Sequence, residues 1–185
     1  MIVTDSRPGA LAMKILQTFA ALAVALGVTG QAQTPLKTVD HVDLQRYLGR
    51  WYEIARIPNR FEKKCVRDVT AEYAMDGSDI TVRNTCVQAD GKPNIAKGKA
   101  KVVDKTTSAK LKVTFFWPFY GNYWIIGLDP DYRWAIVGEP GRKYGWILAR
   151  TPSLPAATLD AIRQQFAASG YRPADLIYPQ QTTAH

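Results

Sequence analysis

Short segments in which hydrophobic and polar residues alternate fill most of the chain between residues 50 and 150. A period of two is typical of β-strands that bury one face, and turn-forming residues separate these segments. The pattern predicts eight strands, at residues 50–57, 66–74, 80–87, 95–103, 110–116, 122–128, 132–138 and 144–150. Eight regular strands with short connections favour an all-β fold, an antiparallel up-and-down barrel able to hold one small ligand.

The segment 95–103 shows the alternation most clearly. One face carries small or aliphatic residues and the other carries lysines: Ala96, Gly98, Ala100 and Val102 against Lys97, Lys99 and Lys101. A barrel wall that lines a cavity needs this arrangement. A sandwich strand with a solvated lysine face fits it equally well, so this segment alone does not decide between the two.

Two helical segments flank the strands. Residues 43–48 are typical of one helical turn, which we expect to close the barrel floor. Ser153 is the expected N-cap of a second helix, with Pro155 in its first turn and Gly170 at its end. A short strand at 176–178 is expected on the barrel edge, and the second helix has an apolar stripe of Leu159, Ile162 and Phe166.

The first 33 residues have the composition of a secretory signal peptide. Met13-Lys14 is followed by an apolar run and then by small residues suited to cleavage, so Met13 is the expected start. A buried N-terminal helix is the alternative. The boundaries that follow are a signal segment with its preceding residues at 1–33, a linker at 34–42, a barrel domain at 43–179 and a tail at 180–185.

The two cysteines of the chain are Cys65 and Cys86. They flank a hairpin whose turn is Asp76-Gly77, which brings both to the same end of a strand pair. Export permits a disulfide, so the pattern predicts a structural bridge. Metal binding is the weaker alternative, because no histidine or second cysteine pair lies nearby.

The chain is basic, with a formal net charge of +8. Without Arg7, Lys14 and Asp5, residues 33–185 keep 22 Lys and Arg against 15 Asp and Glu, a charge near +7. Such a charge suits nucleic acid, an anionic membrane or plain solubility. No nucleic-acid motif follows the basic clusters, and an exported protein rarely meets nucleic acid, so an anionic membrane or ligand is favoured.

The sequence offers little for catalysis, and no cofactor is expected. The two histidines are His41, in the linker, and His185, at the terminus. No Gly-x-Ser-x-Gly elbow, phosphate loop or metal-ligand cluster is present. We therefore expect no enzyme and no metal site, although a Tyr/Glu or two-Asp acid–base pair would leave no sequence signature.

The ends of the strand region carry a Gly49-x-Trp51 start and a late Arg150, which resemble the lipocalins. Residues 48–61 and 146–152 look like the apolipoprotein D-like branch that includes the bacterial lipocalins, and the resemblance covers about residues 39–179. It implies an arginine over an indole at the closed end and a helix packed outside the barrel. Structural closed-end roles are implied for Gly49, Trp51, Asp129, Tyr132 and Arg150, although the usual Thr-Asp-Tyr is here Asp-Pro-Asp-Tyr.

The resemblance also bears on location. Lipid-anchored bacterial lipocalins need a cysteine at the end of the signal segment, and residues 1–33 contain none, which argues against such an anchor here. The expected location is the periplasm or the outer membrane surface of a bacterium, with secretion as the alternative.

A ligand is expected above the closed floor. Counting by twos from Trp51 places Glu53 and Ala55 on the inner face. Counting back by twos from Arg150 places Leu148 and Trp146 on the inner face of the last strand. The full set of expected ligand contacts is Glu53, Ala71, Tyr73, Val82, Ala100, Val113, Phe115, Tyr123, Ile125, Trp146 and Leu148. An ordinary filled core is the alternative. A carboxylate inside an apolar barrel must be paired or protonated. Glu53 is expected to bond a tyrosine hydroxyl or the head of a ligand, and a network at the floor is the alternative.

The loops expected at the barrel mouth are basic, and the floor turns are acidic. The mouth also carries aromatics suited to a bilayer interface. The expected membrane-facing rim is Arg60, Lys63, Lys64, Lys92, Trp117, Phe119, Tyr120, Arg142 and Lys143. Packing of Phe119 and Tyr120 over the mouth, or a homodimer contact, is the alternative.

The function that the resemblance implies is an exported lipocalin that transports or stores a hydrophobic or amphiphilic small molecule. Fatty acids, lysophospholipids and other envelope lipids are the expected ligand classes. Two alternatives stay open: a lipocalin-fold isomerase or de-epoxidase acting on a bound lipid or pigment, and an envelope module that binds a protein partner.

Overall fold

Eight antiparallel strands close into a barrel in the computed structural model, which describes residues 34–182. The strands are β1 (Gly49–Arg56), β2 (Cys65–Asp76), β3 (Asp79–Gln88), β4 (Pro93–Val102), β5 (Lys110–Phe116), β6 (Phe119–Leu128), β7 (Trp134–Gly138) and β8 (Gly145–Ala149). Each pairs with its neighbours in the chain, and β8 pairs with β1. The predicted up-and-down barrel is confirmed. The predicted signal segment 1–33 lies outside the described residues.

The strand bounds differ from the prediction where turns are tighter than expected. β6 begins at Phe119 rather than at residue 122, because Phe116 pairs with Phe119 and leaves a two-residue turn. β7 begins at Trp134 rather than at residue 132, because Tyr132 has a positive φ of 61° within the preceding turn.

The floor is closed by the helical turn α1 (Leu44–Tyr47), which Asp43 caps by accepting from two backbone N–H groups. Trp51 is fully buried above it and donates its indole N–H to the Tyr47 carbonyl at 2.8 Å. The guanidinium of Arg150 lies 3.8 Å from the Trp51 ring centroid. It donates to the carbonyls of Arg46 and Arg50, at 2.6 and 2.7 Å, and so fastens α1 to β1 and β8.

The altered second motif also holds the floor. Asp129 accepts two hydrogen bonds from the Arg133 guanidinium, which lower the pKa of its carboxyl. Tyr132 accepts from the backbone N–H of Asp43 at 2.7 Å, and Arg46 stacks over its ring at 4.2 Å. The turn before β7 is thereby tied to α1 despite the altered sequence.

The segment predicted as a linker packs against the barrel instead. Leu36 and Val42 are buried. The N–H of Val39 donates to the Ile125 carbonyl at 3.0 Å, and that of Val42 donates to the Thr107 carbonyl at 2.8 Å. Residues 34–42 therefore belong to the folded unit.

Helix α2 (Ala156–Ala168) packs on the outside of the barrel, where Ile162 and Phe166 are buried against the outer faces of β6, β7 and β8. A Cβ on Gly145 would lie 2.9 Å from the Phe166 ring, so only glycine permits this approach. The predicted Ser153 cap is wrong. Pro155 occupies the N-cap position, and no side chain caps the helix.

The C-terminal segment departs most from expectation. A 3-10 turn, η1 (Pro173–Asp175), precedes it, and the predicted strand 176–178 is only a single bridge between Ile177 and Arg56. The Gln181 amide donates to the carbonyls of Glu53 and Val69, at 2.9 and 3.0 Å. Residues 177–182 thus fill the gap where β1 and β2 diverge towards the mouth, so 180–182 are no free tail.

The predicted disulfide between Cys65 and Cys86 is confirmed, with a Cα–Cα distance of 5.5 Å. It joins the mouth ends of β2 and β3 and lies in a small buried cluster with Val69. The bridge fixes these two strand ends beside the open end of the barrel.

Replacing Arg150 with alanine should destabilise the fold by about 2–3 kcal/mol, because a cation–π contact and charged hydrogen bonds to two carbonyls are lost together. Urea unfolding followed by tryptophan fluorescence measures this. Arg163→Ala is the matched control. Its side chain is exposed and, in the described part of the chain, pairs only with Asp160, at 3.5 Å, so a change below about 0.5 kcal/mol is expected. Equal losses in the two variants would contradict the role given to Arg150.

Candidate functional site

The inner face of the barrel brings together nearly all of the side chains expected to contact ligand. Ten of the eleven belong to one inner cluster: Ala71, Tyr73, Val82, Ala100, Val113, Phe115, Tyr123, Ile125, Trp146 and Leu148. The eleventh, Glu53, is buried and lies opposite Leu148 in the β1–β8 ladder. Ala135 and Val137 of β7 belong to the same cluster, so side chains from every strand converge on one interior.

This interior is open at one end and closed at the other. Along β4, the inner residues Asn94, Ala96 and Gly98 are partly exposed and Ala100 is buried, while Val102, at the floor end of the strand, is again partly exposed. The same gradient holds on other strands, where partly exposed Ala71, Asn84, Phe115 and Trp146 lie nearer the mouth than buried Tyr73, Val82, Leu111 and Leu148. The upper half of the barrel is thus a cup that solvent reaches, and the lower half is packed.

A small cavity of about 10 Å³ remains in the packed half, room for roughly one water molecule. It is lined by Leu44, Tyr47, Leu48, Tyr73, Ile80, Ala100, Leu111, Val113 and Tyr123. Four of these were expected ligand contacts. Ile80 and Leu111 were missed although they share a face with Val82 and Val113. Leu44, Tyr47 and Leu48 were missed because α1 was expected only to close the floor.

Three tyrosines meet at this cavity. The Tyr123 hydroxyl lies 2.8 Å from that of Tyr47 and 2.9 Å from that of Tyr73. Burial raises the pKa of all three, that of Tyr73 to about 12, so the hydroxyls stay neutral. Two contacts engage two of the three hydroxyl protons, so the three side chains form one polar network beside the cavity.

A bulge in β1 changes which residues face inward. The register shifts between Glu53 and Ala55, so Ala55 pairs with Ile147 in the outer cluster. Arg56 pairs with the inward Trp146 and is buried. The expectation that Ala55 faces the interior is therefore wrong. The inward position of Arg56 was missed because alternation along the sequence does not reveal a bulge.

The inward arginine organises a polar cluster near the mouth. The Arg56 guanidinium donates to Glu53 and, at 3.1 Å, to the Cys65 carbonyl. Its Nε lies 3.8 Å from Glu62, which comes from the loop between β1 and β2. The Trp146 indole donates to the same Glu62 oxygen at 3.1 Å. Glu53 thus pairs with a cation inside the barrel, and not with a tyrosine or a floor network.

Burial and the nearby Glu62 carboxylate raise the pKa of Glu53 well above its usual range, although Arg56 opposes the shift. The cluster holds two carboxylates and a single guanidinium, so one negative charge lacks a partner inside the barrel. Protonation of Glu53 removes both the cost of burying its charge and the repulsion from Glu62, so its proton is held to higher pH.

The expected rim residues differ in their exposure to solvent and in whether their charged groups are paired. Trp117 and Phe119 are 82% and 78% exposed, and Arg60, Lys63 and Lys64 are exposed. Tyr120 and Lys143 are exposed as well, and Lys92 pairs with Asp90 at 3.3 Å. The expectation that Arg142 belongs to the membrane-facing rim is corrected by its contacts. Its guanidinium donates to the carbonyls of Ser169 and Thr34, at 2.8 and 2.7 Å, so it holds the end of α2 and is not a free rim cation.

Within residues 34–182, no group of three or more His, Cys, Asp or Glu side chains is placed to hold a metal ion. In the same range, no helix is long and apolar enough to cross a bilayer.

Comparison with known proteins agrees with this architecture. A family model described as a Lipocalin-like domain matches residues 42–181. Outer membrane lipoprotein Blc of Citrobacter freundii is 41% identical over 182 residues, 93% of this chain and 100% of the relative. Apolipoprotein D of Macaca fascicularis is 37% identical over 134 residues, 67% of this chain and 69% of the relative. The solved structure of insecticyanin from Manduca sexta shares the fold, with a TM-score of 0.64 at 23% identity over 81% of this chain and 90% of that one.

Replacing Glu53 with glutamine should flatten the dependence of stability on pH. An unfolded glutamate loses its proton near 4.5, whereas the buried one keeps it to higher pH. Above that pH the folded chain binds more protons than the unfolded chain, so the free energy of unfolding falls as pH rises. Urea unfolding at several pH values between about 5 and 8 should show this fall in the wild type and a smaller one in Glu53→Gln.

Glu72→Gln is the control, because Glu72 is about half exposed and pairs with Arg83 at 3.9 Å. Its slope should equal that of the wild type. A Glu53→Gln slope as steep as the wild type's would show that Glu53 is ionised in the folded state.

Proposed function

This chain belongs to the lipocalin family, and on that premise we propose that it binds and carries a hydrophobic or amphiphilic small molecule in its barrel. The resemblance to bacterial lipocalins and apolipoprotein D is confirmed by the relatives found. The observation that carries the proposal is the exposure gradient of the inner face, which is open to solvent above and packed below. Fatty acids, lysophospholipids and other envelope lipids are the ligand classes.

The chemistry of the cup suits a single acyl chain. Each methylene moved from water to an apolar wall contributes about 0.8 kcal/mol, so a dozen carbons contribute about 10 kcal/mol before association costs. Such a chain is far larger than the cavity of about 10 Å³ near the floor, so it occupies the open half of the barrel. Phe115 and Trp146 are partly exposed there and supply ring faces.

Two polar atoms of the interior support a ligand with a polar end. Arg56 Nε and Asn84 Oδ1 are buried and have no hydrogen-bond partner among residues 34–182. An unpaired buried donor or acceptor costs about 1–3 kcal/mol, and a ligand oxygen or hydroxyl would remove that cost. A hydrophobic core that binds no ligand rarely contains buried polar atoms without a hydrogen-bond partner.

The location that we propose is the bacterial envelope. The relative from Citrobacter freundii is named an outer membrane lipoprotein. A periplasmic or outer-membrane-associated site agrees with the exported start expected from the sequence, and secretion is the alternative. An envelope protein that binds lipids meets its ligands at a membrane surface.

The rim supports transient contact with an anionic bilayer. The turn between β5 and β6 exposes Trp117 and Phe119, and the neighbouring mouth loops expose Arg60, Lys63 and Lys64. Aromatic side chains favour the bilayer interface, and exposed cations are attracted to anionic lipids. The mouth of the cup would then face the lipid that it takes up or delivers.

Filling the cup should abolish ligand binding without harming the fold. Ala96 lies on the inner face of β4 and is partly exposed, so Ala96→Trp places an indole where the acyl chain would lie. We expect the affinity for dodecanoate, measured by calorimetry, to fall at least about tenfold, since several methylenes lose their contact. Organic-solvent extracts of the purified variant should also contain less lipid by mass spectrometry.

Lys97→Trp is the matched control, since Lys97 is the next residue of the same strand and is exposed. Its affinity should equal that of the wild type. Equal affinity in Ala96→Trp would place the ligand elsewhere. A chemically altered ligand in the extract would favour the enzyme alternative, and a protein without lipid but with a stable partner would favour the interaction module.

Membrane contact should depend on both rim aromatics and charge. Sedimentation with vesicles should rise with anionic lipid content, fall with added salt and weaken in a Trp117→Ser, Phe119→Ser double variant. Met75→Ser, Val103→Ser is the control, because these exposed apolar residues lie at the floor end. Salt-insensitive binding, or none to anionic vesicles, would contradict the proposal. Loss of dimer in the rim variant by light scattering would assign the aromatics to a homodimer contact.

A further inference from the structure

The polar cluster at the mouth is not explained by binding an acyl chain. Glu53 and Arg56 are buried, and Glu62 closes the cluster from the loop between β1 and β2. A hydrophobic carrier needs no ion pairs inside its barrel, and their burial is costly. The cluster therefore points to a polar feature of the ligand.

The charges in the cluster do not balance. Two carboxylates, Glu53 and Glu62, face the guanidinium of Arg56. One positive charge is needed for neutrality, and either a proton on Glu53 or a cation from outside supplies it. Glu62 is the member that such a cation reaches, because its side chain is 14% exposed whereas those of Glu53 and Arg56 are about 5% exposed.

Aromatic rings stand beside the accessible carboxylate. Trp146 donates its indole N–H to Glu62 at 3.1 Å. The Tyr144 ring stacks on Trp146 with centroids 6.2 Å apart, and Phe61 lies 5.5 Å beyond Tyr144. These three rings lead from the interior to the rim, and ring faces attract ammonium groups, quaternary ones above all.

We propose that Glu62, Phe61, Tyr144 and Trp146 form a headgroup subsite for amphiphiles whose polar end is an amine or a quaternary ammonium. This inference rests on the proposed function, since the acyl chain of the same ligand lies in the cup. Glu62 is the counter-ion and the rings form the wall. A carboxylate headgroup in this corner would add a further negative charge beside Glu62 and the one guanidinium, even when Glu53 holds its proton. The nearby cations Arg60, Lys63 and Lys64 are exposed, so solvent screens their charge on the corner. The Arg60 guanidinium lies 5.1 Å from the Phe61 ring centroid, so a headgroup would have to displace it from that ring.

The proposal is tested with two ligands that share a twelve-carbon chain, dodecyltrimethylammonium and dodecanoate, each below its micelle concentration. Calorimetry on the wild-type protein should show the cation binding about tenfold more tightly. Glu62→Gln keeps an acceptor for Trp146 but removes the charge, so it should lower the affinity for the cation about tenfold and leave or raise that for dodecanoate. Glu72→Gln, on the outer face of β2, should change neither.

Phe61→Leu is a second variant, because Phe61 is 61% exposed and its replacement does not endanger the fold. Because one exposed ring face is lost, the affinity for the cation should fall about threefold, and the affinity for dodecanoate should stay unchanged. Dodecanoate binding as tightly as the cation in the wild type would overturn the subsite and leave the carrier function standing. Equal losses for both ligands in Glu62→Gln would overturn it too. Failure of both ligands to bind the wild type would overturn the carrier function, and the subsite with it.

Discussion

The guanidinium of Arg150 lies against the face of Trp51 and binds the carbonyls of Arg46 and Arg50. This single group connects β8, β1 and α1, the three elements that meet where the barrel closes. Half-burial lowers the pKa of Arg150, but an arginine stays charged in proteins, so the contact persists at all physiological pH values. Because the floor is sealed here, the interior can be entered only from the opposite end.

The sealed floor gives the barrel its polarity. Large side chains fill the lower half, where three tyrosine hydroxyls meet over a cavity of about 10 Å³. Above them, the small residues of β4 leave the wall open to solvent. The disulfide between Cys65 and Cys86 and the C-terminal residues 177–182 hold the strand ends at the mouth. A cup whose upper wall is exposed to solvent is suited to exchanging water for an apolar chain.

One irregularity in β1 adds chemistry to this cup. The bulge between Glu53 and Ala55 turns Arg56 into the barrel, where it neutralises one carboxylate and leaves the other in excess. Stability and ligand choice are therefore coupled in the same cluster. The proton that Glu53 holds and a positively charged headgroup at Glu62 would relieve the same excess charge, so each should weaken the binding of the other.

The sequence by itself determined the barrel, its eight strands and the disulfide, and its resemblance to the lipocalins implied the closed end. Alternation with a period of two and strong turn residues act within a few neighbours, so they are visible in the chain. It also placed the inner face correctly on most strands, because alternation keeps its phase wherever no bulge intervenes. Only the tertiary structure decided that Arg56 faces inward, that residues 180–182 pack against the barrel and that Arg142 binds the end of α2. Each depends on groups distant in the chain, whose hydrogen bonds exist only once the barrel has closed.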